Sequence, residues 1–205
     1  MKLSNPLSVI SPTLDADVLR VLARSEPSLT IPQLHALIPD RSVEGIRKTL
    51  SRLSSEGIVD SETVGRTHLY RLNREHLAVP AIEQLASLRS EFFQRIAAEL
   101  ESWPAPPIFA AVFGSASRGD MRPDSDIDLF LVHPPVEDEE EWSDRVSSLS
   151  ARASRWVGND VRALVYGLED TEGRGKSDPV LQSIAREGTF LLGEKEAFGS
   201  LVGAS

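Results

Sequence analysis

Two aspartates one residue apart, Asp126 and Asp128, stand at the head of the apolar run Leu129-Phe130-Leu131-Val132. Read as a strand, this segment alternates its side chains, so the two carboxylates share one face and Ile127 and Leu129 take the other. Like charges held that close repel, and a divalent cation offsets the repulsion. Mg²⁺ favours carboxylate oxygens together with substrate phosphates. Two such ions about 3.5–4 Å apart can clamp the attacking and leaving oxygens of an in-line phosphoryl displacement. Upstream, the apolar run Ile108-Phe109-Ala110-Ala111-Val112-Phe113 ends at Gly114-Ser115. A glycine leaving a strand lets backbone approach a phosphate, Ser115 adds a hydroxyl and an N–H, and a helix starting there would add amide donors. Arg118 and Arg122 follow, placed to neutralise remaining phosphate charge.

The whole stretch, GSASRGDMRPDSDIDLFLV, resembles the GS-x10-D-x-D signature of the DNA polymerase β-like nucleotidyltransferase superfamily, in particular its minimal (MNT-type) branch. Gly114, Ser115, Arg118, Gly119, Ser125, Asp126 and Asp128 fill the places of that pattern. The resemblance extends over roughly residues 85–193. It implies attack by an acceptor nucleophile on the α-phosphorus of a nucleoside triphosphate, with release of pyrophosphate. Asp126 and Asp128 would then hold two Mg²⁺ ions, with Mn²⁺ as a substitute. Gly114 and Ser115 would hold the β- and γ-phosphates, and Arg118, Arg122 and Ser125 would complete the nucleotide site. The family also implies a third carboxylate on a following strand. Asp160 is the candidate for it; its alternatives are a turn aspartate beside Asn159 and an ion-pair partner of Arg162. An antibiotic hydroxyl, an RNA end and a protein side chain all suit the motif as acceptor, because the motif handles only the triphosphate.

These residues need a scaffold. Asp138-Glu139-Glu140-Glu141 opens a helix with Trp142, Val146, Leu149, Ala153 and Trp156 on one side, its acidic first turn suiting the helix dipole. Gly158-Asn159 ends it, and Asp160–Tyr166 has strand character. Asp178-Pro179 starts a short helix that Gly188 terminates, and Thr189–Leu192 returns toward the sheet. Residues 167–177 read as a mobile loop and 194–205 as a fraying tail. Upstream, Ile82, Leu85, Leu88, Phe92, Phe93, Ile96 and Leu100 form the apolar face of one long helix, broken by the prolines after Trp103.

The first 78 residues have a different pattern. Leu14, Val18, Leu19, Val21 and Leu22 follow helical spacing. Thr30 and Pro32 start a second short helix. Ser42 caps a third whose stripe is Val43, Ile46, Leu50 and Leu53, with Gly57 at its end. Two alternating runs around Val64-Gly65-Arg66 read as a β-hairpin. Three helices followed by a hairpin resemble a winged helix-turn-helix domain. That resemblance implies contact with double-stranded DNA, the third helix entering the major groove, through Arg41, Lys48, Arg52 and Arg66. Solvated charges on a module that only packs or dimerises are the competing interpretation.

Composition sets the limits. The chain has 205 residues, no cysteine and a net charge of −9, so disulfide, zinc-thiolate, iron–sulfur and cysteine-nucleophile chemistry is excluded. Residues 1–78 carry ten Lys+Arg against nine Asp+Glu, and residues 79–205 twelve against twenty-two, an asymmetry expected of two modules with different partners. No apolar run approaches the roughly 20 residues of a membrane span, and the first residues lack a secretory pattern, so a cytoplasmic protein without membrane contact is expected. The expected architecture is a two-domain α/β (α+β) protein. A winged helix-turn-helix domain occupies 1–78, a connecting helix and proline-rich linker 79–104, and a nucleotidyltransferase domain with a small mixed sheet flanked by helices 105–205. Its expected function is Mg²⁺-dependent transfer of a nucleoside monophosphate from an NTP, with a homodimer and a protein acceptor among its possible partners. The alternative is a winged-helix regulator whose second domain senses nucleotide or modifies a protein in antitoxin fashion.

Overall fold

The computed structural model describes residues 1–118, 121–122, 125–135 and 138–204; Gly119 of the motif and the side chain of Arg118 lie outside the described residues. The chain divides into two compact units. One holds Lys2 and residues 4–89, the other Met1, Leu3 and residues 90–205. The division falls inside the long helix, which contributes residues to both.

The first unit contains α1 (Leu14–Arg24), α2 (Ile31–Leu37), α3 (Val43–Ser55), β1 (Val59–Val64) and β2 (Thr67–Leu72). Local chemistry sets the boundaries. Thr30 accepts from the Gln33 amide while the Gln33 side chain returns to the Thr30 amide, a reciprocal cap. Ser42 caps α3 through the Gly45 amide. The strands pair antiparallel from Val59↔Leu72 to Val64↔Thr67, leaving Gly65 (φ 62°) as the first of two turn residues, a conformation that costs glycine nothing. Leu29 adds an isolated antiparallel bridge to Tyr70. Val18, Leu22, Leu34, Ile46, Leu50 and Leu53 are buried in one core. Val43, expected in the α3 stripe, is 40% exposed instead.

Helix α4 (Val79–Glu101), shared by the two units, is followed in the second by β3 (Phe109–Phe113), α5 (Ser115–Arg118), β4 (Ile127–His133), α6 (Glu139–Val157), β5 (Val161–Gly167), α7 (Leu168–Arg174), α8 (Pro179–Glu187), β6 (Thr189–Leu192) and α9 (Lys195–Leu201). The sheet order is β5-β4-β3-β6. β4 and β5 run parallel, while β3 is antiparallel to both β4 and β6, which is the mixed sheet expected. Strand alternation sorts β4 between two cores. Ile127, Leu129 and Leu131 join the cluster formed with Ile96, Leu100, Trp142 and Leu149, and Phe130 and Val132 join the one formed with Leu181, Ile184 and Phe198.

Two expectations are corrected. Residues 167–177 are not a loop: they hold α7, where the Thr171 hydroxyl donates to the Gly167 carbonyl at 2.8 Å and is itself buried. Nor does 194–205 fray. Its α9 buries Phe198 completely, against Phe109, Phe130 and Phe190 at ring-centroid distances of 5.3–5.5 Å. One aromatic anchor holds a segment whose glycines argue for a tail. No helix among the described residues is long and apolar enough to cross a membrane.

Candidate active site

The antiparallel register of β3 and β4 places Phe113 opposite Asp128, so the residue that follows β3 turns directly beneath that carboxylate. Gly114 has φ 69°, and a Cβ built on it would lie 2.6 Å from Asp128 Oδ2. Only glycine satisfies both constraints, a left-handed backbone and a carboxylate packed on its α-carbon. Ser115 then opens α5. The Ser117 hydroxyl donates to the Glu187 carbonyl at the end of α8, which ties this short helix to the body of the unit. The two halves of the motif, fourteen residues apart in sequence from Gly114 to Asp128, are thus one structure.

Asp126 immediately precedes β4, and alternation puts it with Asp128 on the face that Phe130 and Val132 continue. Burial pushes the Asp128 carboxyl above the ordinary aspartate range, the neighbouring Asp126 charge pushes it further, and Arg162 opposes both. Protonation or an added cation relieves such a group. The loop before β4 is held by its own residues: the Arg122 amide donates to Ser125 Oγ at 2.9 Å.

Asp160 precedes β5 as Asp126 precedes β4. The parallel register pairs Ile127 with Val161 and Asp128 with Arg162, and the Ile127 amide donates to the Asp160 carbonyl at 2.8 Å. All three acids therefore reach the same end of the same face. They do not, however, form an open ligand set. Arg162 NH1 meets Asp126 Oδ2 at 2.7 Å and its Nε meets Asp160 Oδ2 at 2.8 Å. Among the described residues no group of three His, Asp or Glu side chains is poised around a common ion position. The three acids expected to hold the ions thus lie at one end of one face, with a guanidinium spanning Asp126 and Asp160.

Two residues of this region were not among the expected site residues. Arg162 entered only as a partner of Asp160; its place beside Asp128 depends on a parallel register that spacing does not reveal. Asn159 is buried, and its side-chain amide donates to the Ser125 carbonyl at 3.0 Å. It thereby ties the residue before Asp160 to the residue before Asp126. In sequence it is merely the asparagine after a helix-ending glycine.

In the first unit the four expected DNA-contacting residues divide. Arg41 is paired with Asp17 at 2.7 Å. Arg52 is paired with Asp15 at 2.6 Å and Glu56 at 2.7 Å. Lys48 and Arg66 are exposed, and neither belongs to a described ion pair. Arg47, exposed on α3 as well, is held by Glu44 at 2.5 Å.

Residues 94–174 match the family model described as a nucleotidyltransferase domain. The match spans β3 through α7 and so contains both halves of the motif, and it supports nucleotidyl transfer as the activity of this domain. No curated protein matches the chain. Among solved structures, a toxin–antitoxin crystal structure with AMP-PNP is 18% identical, covering 54% of this chain and 81% of that chain with a TM-score of 0.38. A mutant of the toxin–antitoxin MntA-HpeT is 17% identical over 54% and 81%, with a TM-score of 0.41. A tri-AMPylated Shewanella oneidensis HEPN toxin in complex with MNT antitoxin is 18% identical over 55% and 79%, with a TM-score of 0.37.

Proposed function

We propose that the second unit is a divalent-cation-dependent nucleotidyltransferase that moves a nucleoside monophosphate from an NTP to an acceptor nucleophile, and that the first is a winged helix-turn-helix module contacting duplex DNA. The observation that carries the first part is the Asp128 carboxylate packed on the positive-φ Gly114, which brings the glycine turn after β3 and a carboxylate of the aspartate pair within a few ångströms of each other. Asp126 and Asp128 suit Mg²⁺: they are hard oxygen donors on one face, and Asp128 carries a charge that its surroundings disfavour. A bound Mg²⁺ supplies charge neutralisation at the phosphates and the transferring centre.

The chain's own residues do the positioning. Gly114 removes the side chain that would keep a triphosphate away, and Ser115 offers its hydroxyl and amide to the β- and γ-phosphates. Arg122, exposed in the loop before Ser125, and Arg118 balance the remaining phosphate charge. Asn159 keeps the Ser125–Asp126 and Asn159–Asp160 ends in register. With the α-phosphorus so held, the acceptor oxygen attacks in line and pyrophosphate leaves. Positioning and charge stabilisation supply most of the acceleration in such transfers.

For the first unit, Lys48 and Arg66 are the groups available to phosphates. Arg41 and Arg52 would reach DNA by exchanging Asp17, Asp15 and Glu56 for phosphate oxygens, which reduces their net gain.

The test is incubation of the chain with NTPs radiolabelled at the α-phosphate, together with host lysate and Mg²⁺. Label transferred to a protein, an RNA end or a small hydroxyl compound identifies the acceptor class, and the Asp126→Asn/Asp128→Asn variant is expected to transfer none. Transfer undiminished in that folded variant would refute the site.

A further inference from the structure

The acid face carries a positive charge of its own, and its position is specific. Arg162 lies in register beside Asp128 on the adjacent parallel strand, and its guanidinium bonds to Asp126 through NH1 and to Asp160 through Nε. One planar, permanently charged fork thus fills the space between the two carboxylates that an ion bridging them would need. Burial does not force this arrangement. The side chains of Arg162, Asp126 and Asp160 are 64%, 37% and 56% exposed, so the pairing forms in competition with water. Three carboxylates and one guanidinium leave two net negative charges on the face, which a single divalent cation neutralises. A second ion between Asp126 and Asp160 would have to expel a guanidinium whose α-carbon the sheet holds beside Asp128, and would then sit against its charge.

Resting on the nucleotidyltransferase reading above, we propose that Arg162 takes the place of one of the two divalent ions, so that the site works with a single ion held by Asp126 and Asp128. Asp160 is then a positioning residue: it anchors Arg162 and does not ligate. Asp126 and Asp128 would hold the remaining ion, with the Arg162 guanidinium as a positive charge beside it.

Electron paramagnetic resonance of Mn²⁺ bound with α,β-methylene ATP distinguishes the cases, because two Mn²⁺ ions about 3.5–4 Å apart couple magnetically and a lone ion does not. The full-length chain is expected to show an uncoupled spectrum, as are Arg162→Lys and Asp160→Asn. Arg162→Ala, at an exposed position that leaves the core untouched, is expected to bind a second Mn²⁺ and give the coupled spectrum. A coupled pair in the unsubstituted chain would overturn the proposal while leaving nucleotidyl transfer intact, as would an Arg162→Ala spectrum that stays uncoupled. An absence of bound Mn²⁺ and nucleotide in every variant would overturn the proposal together with the nucleotidyltransferase reading beneath it.

Discussion

The two units use arginine–carboxylate pairing in opposite proportion. On α3 and its surroundings the arginines are outnumbered: Arg41 is paired with Asp17, Arg47 with Glu44, and Arg52 is shared between Asp15 and Glu56. At the start of β4 the described carboxylates are in excess, with Asp126, Asp128 and Asp160 around Arg162. One surface has paired off most of its arginine charge, leaving Lys48 and Arg66 outside the described ion pairs. The other has kept an uncancelled negative charge, which attracts nothing except a cation or a cation-bearing substrate. The difference shows why the count of basic residues on a helix overstates its electrostatic reach, and why an acidic domain can still serve a triphosphate.

The largest effect is expected where the excess charge is concentrated. Removing both carboxylates in Asp126→Asn/Asp128→Asn should lower NTP-dependent transfer by at least about 10³-fold, a barrier increase of about 4 kcal/mol, with circular dichroism unchanged. Next comes the turn beneath them. Gly114→Ala imposes a left-handed backbone on a residue with a Cβ, a strain of about 1–3 kcal/mol, and drives that Cβ into Asp128. Denaturant melts should report the reduced stability, and transfer should fall with it.

Acidity offers a graded version of the same comparison. The Asp128 carboxyl is raised in the folded chain, chiefly by burial and then by Asp126, above the unfolded value of about 3.9. Its contribution to stability is therefore fully present below the unfolded value and is lost as pH rises through the folded one. Asp128→Asn should raise Tm at neutral pH even as it removes activity. Mn²⁺ affinity of the unsubstituted chain should begin to fall, on acidification, at a higher pH than an ordinary aspartate would dictate. A Tm that drops in this variant would mean that Asp128 stabilises the fold, and the electrostatic contrast would fail.

The smallest effects belong to the first unit. If it binds duplex DNA, removing one cation that neutralises a phosphate reduces the slope of log affinity against log salt by about 0.9. Lys48→Ala and Arg66→Ala should each approach that value, and Arg52→Ala should fall short of it because Asp15 and Glu56 already hold the guanidinium. Equal slopes for all three would mean that the intramolecular pairs open freely on DNA.

Much of this was legible from residue types because the signals were local. Thr30, Ser42 and Asp138 cap helices where such residues cap them, Gly158 ends α6 with φ 73°, a short apolar run identified β3, and alternation identified the hairpin. The motif resemblance assigned Gly114 and Asp128 to one site, and the packing of one on the other came from the fold. What was missed depends on distant parts of the chain. α9 exists because Phe198 finds Phe109, Phe130 and Phe190, and no window of residues 194–205 contains that information. Arg162 beside Asp128 follows from a parallel register, and the neutralisation of Arg41 and Arg52 from helix α1 supplying Asp15 and Asp17. A periodic pattern tells which way a side chain faces on its own element; it does not tell what another element brings to meet it.

The central claim is that Gly114-Ser115 and Asp126/Asp128 form one nucleotide and cation site. A crystal structure with Mn²⁺ and α,β-methylene ATP, with the metal located by anomalous scattering, tests it most directly. Anomalous density is expected on the Asp126 and Asp128 carboxylates, with the triphosphate against the Gly114-Ser115 turn. Metal density elsewhere, or a nucleotide bound away from that turn, would contradict it.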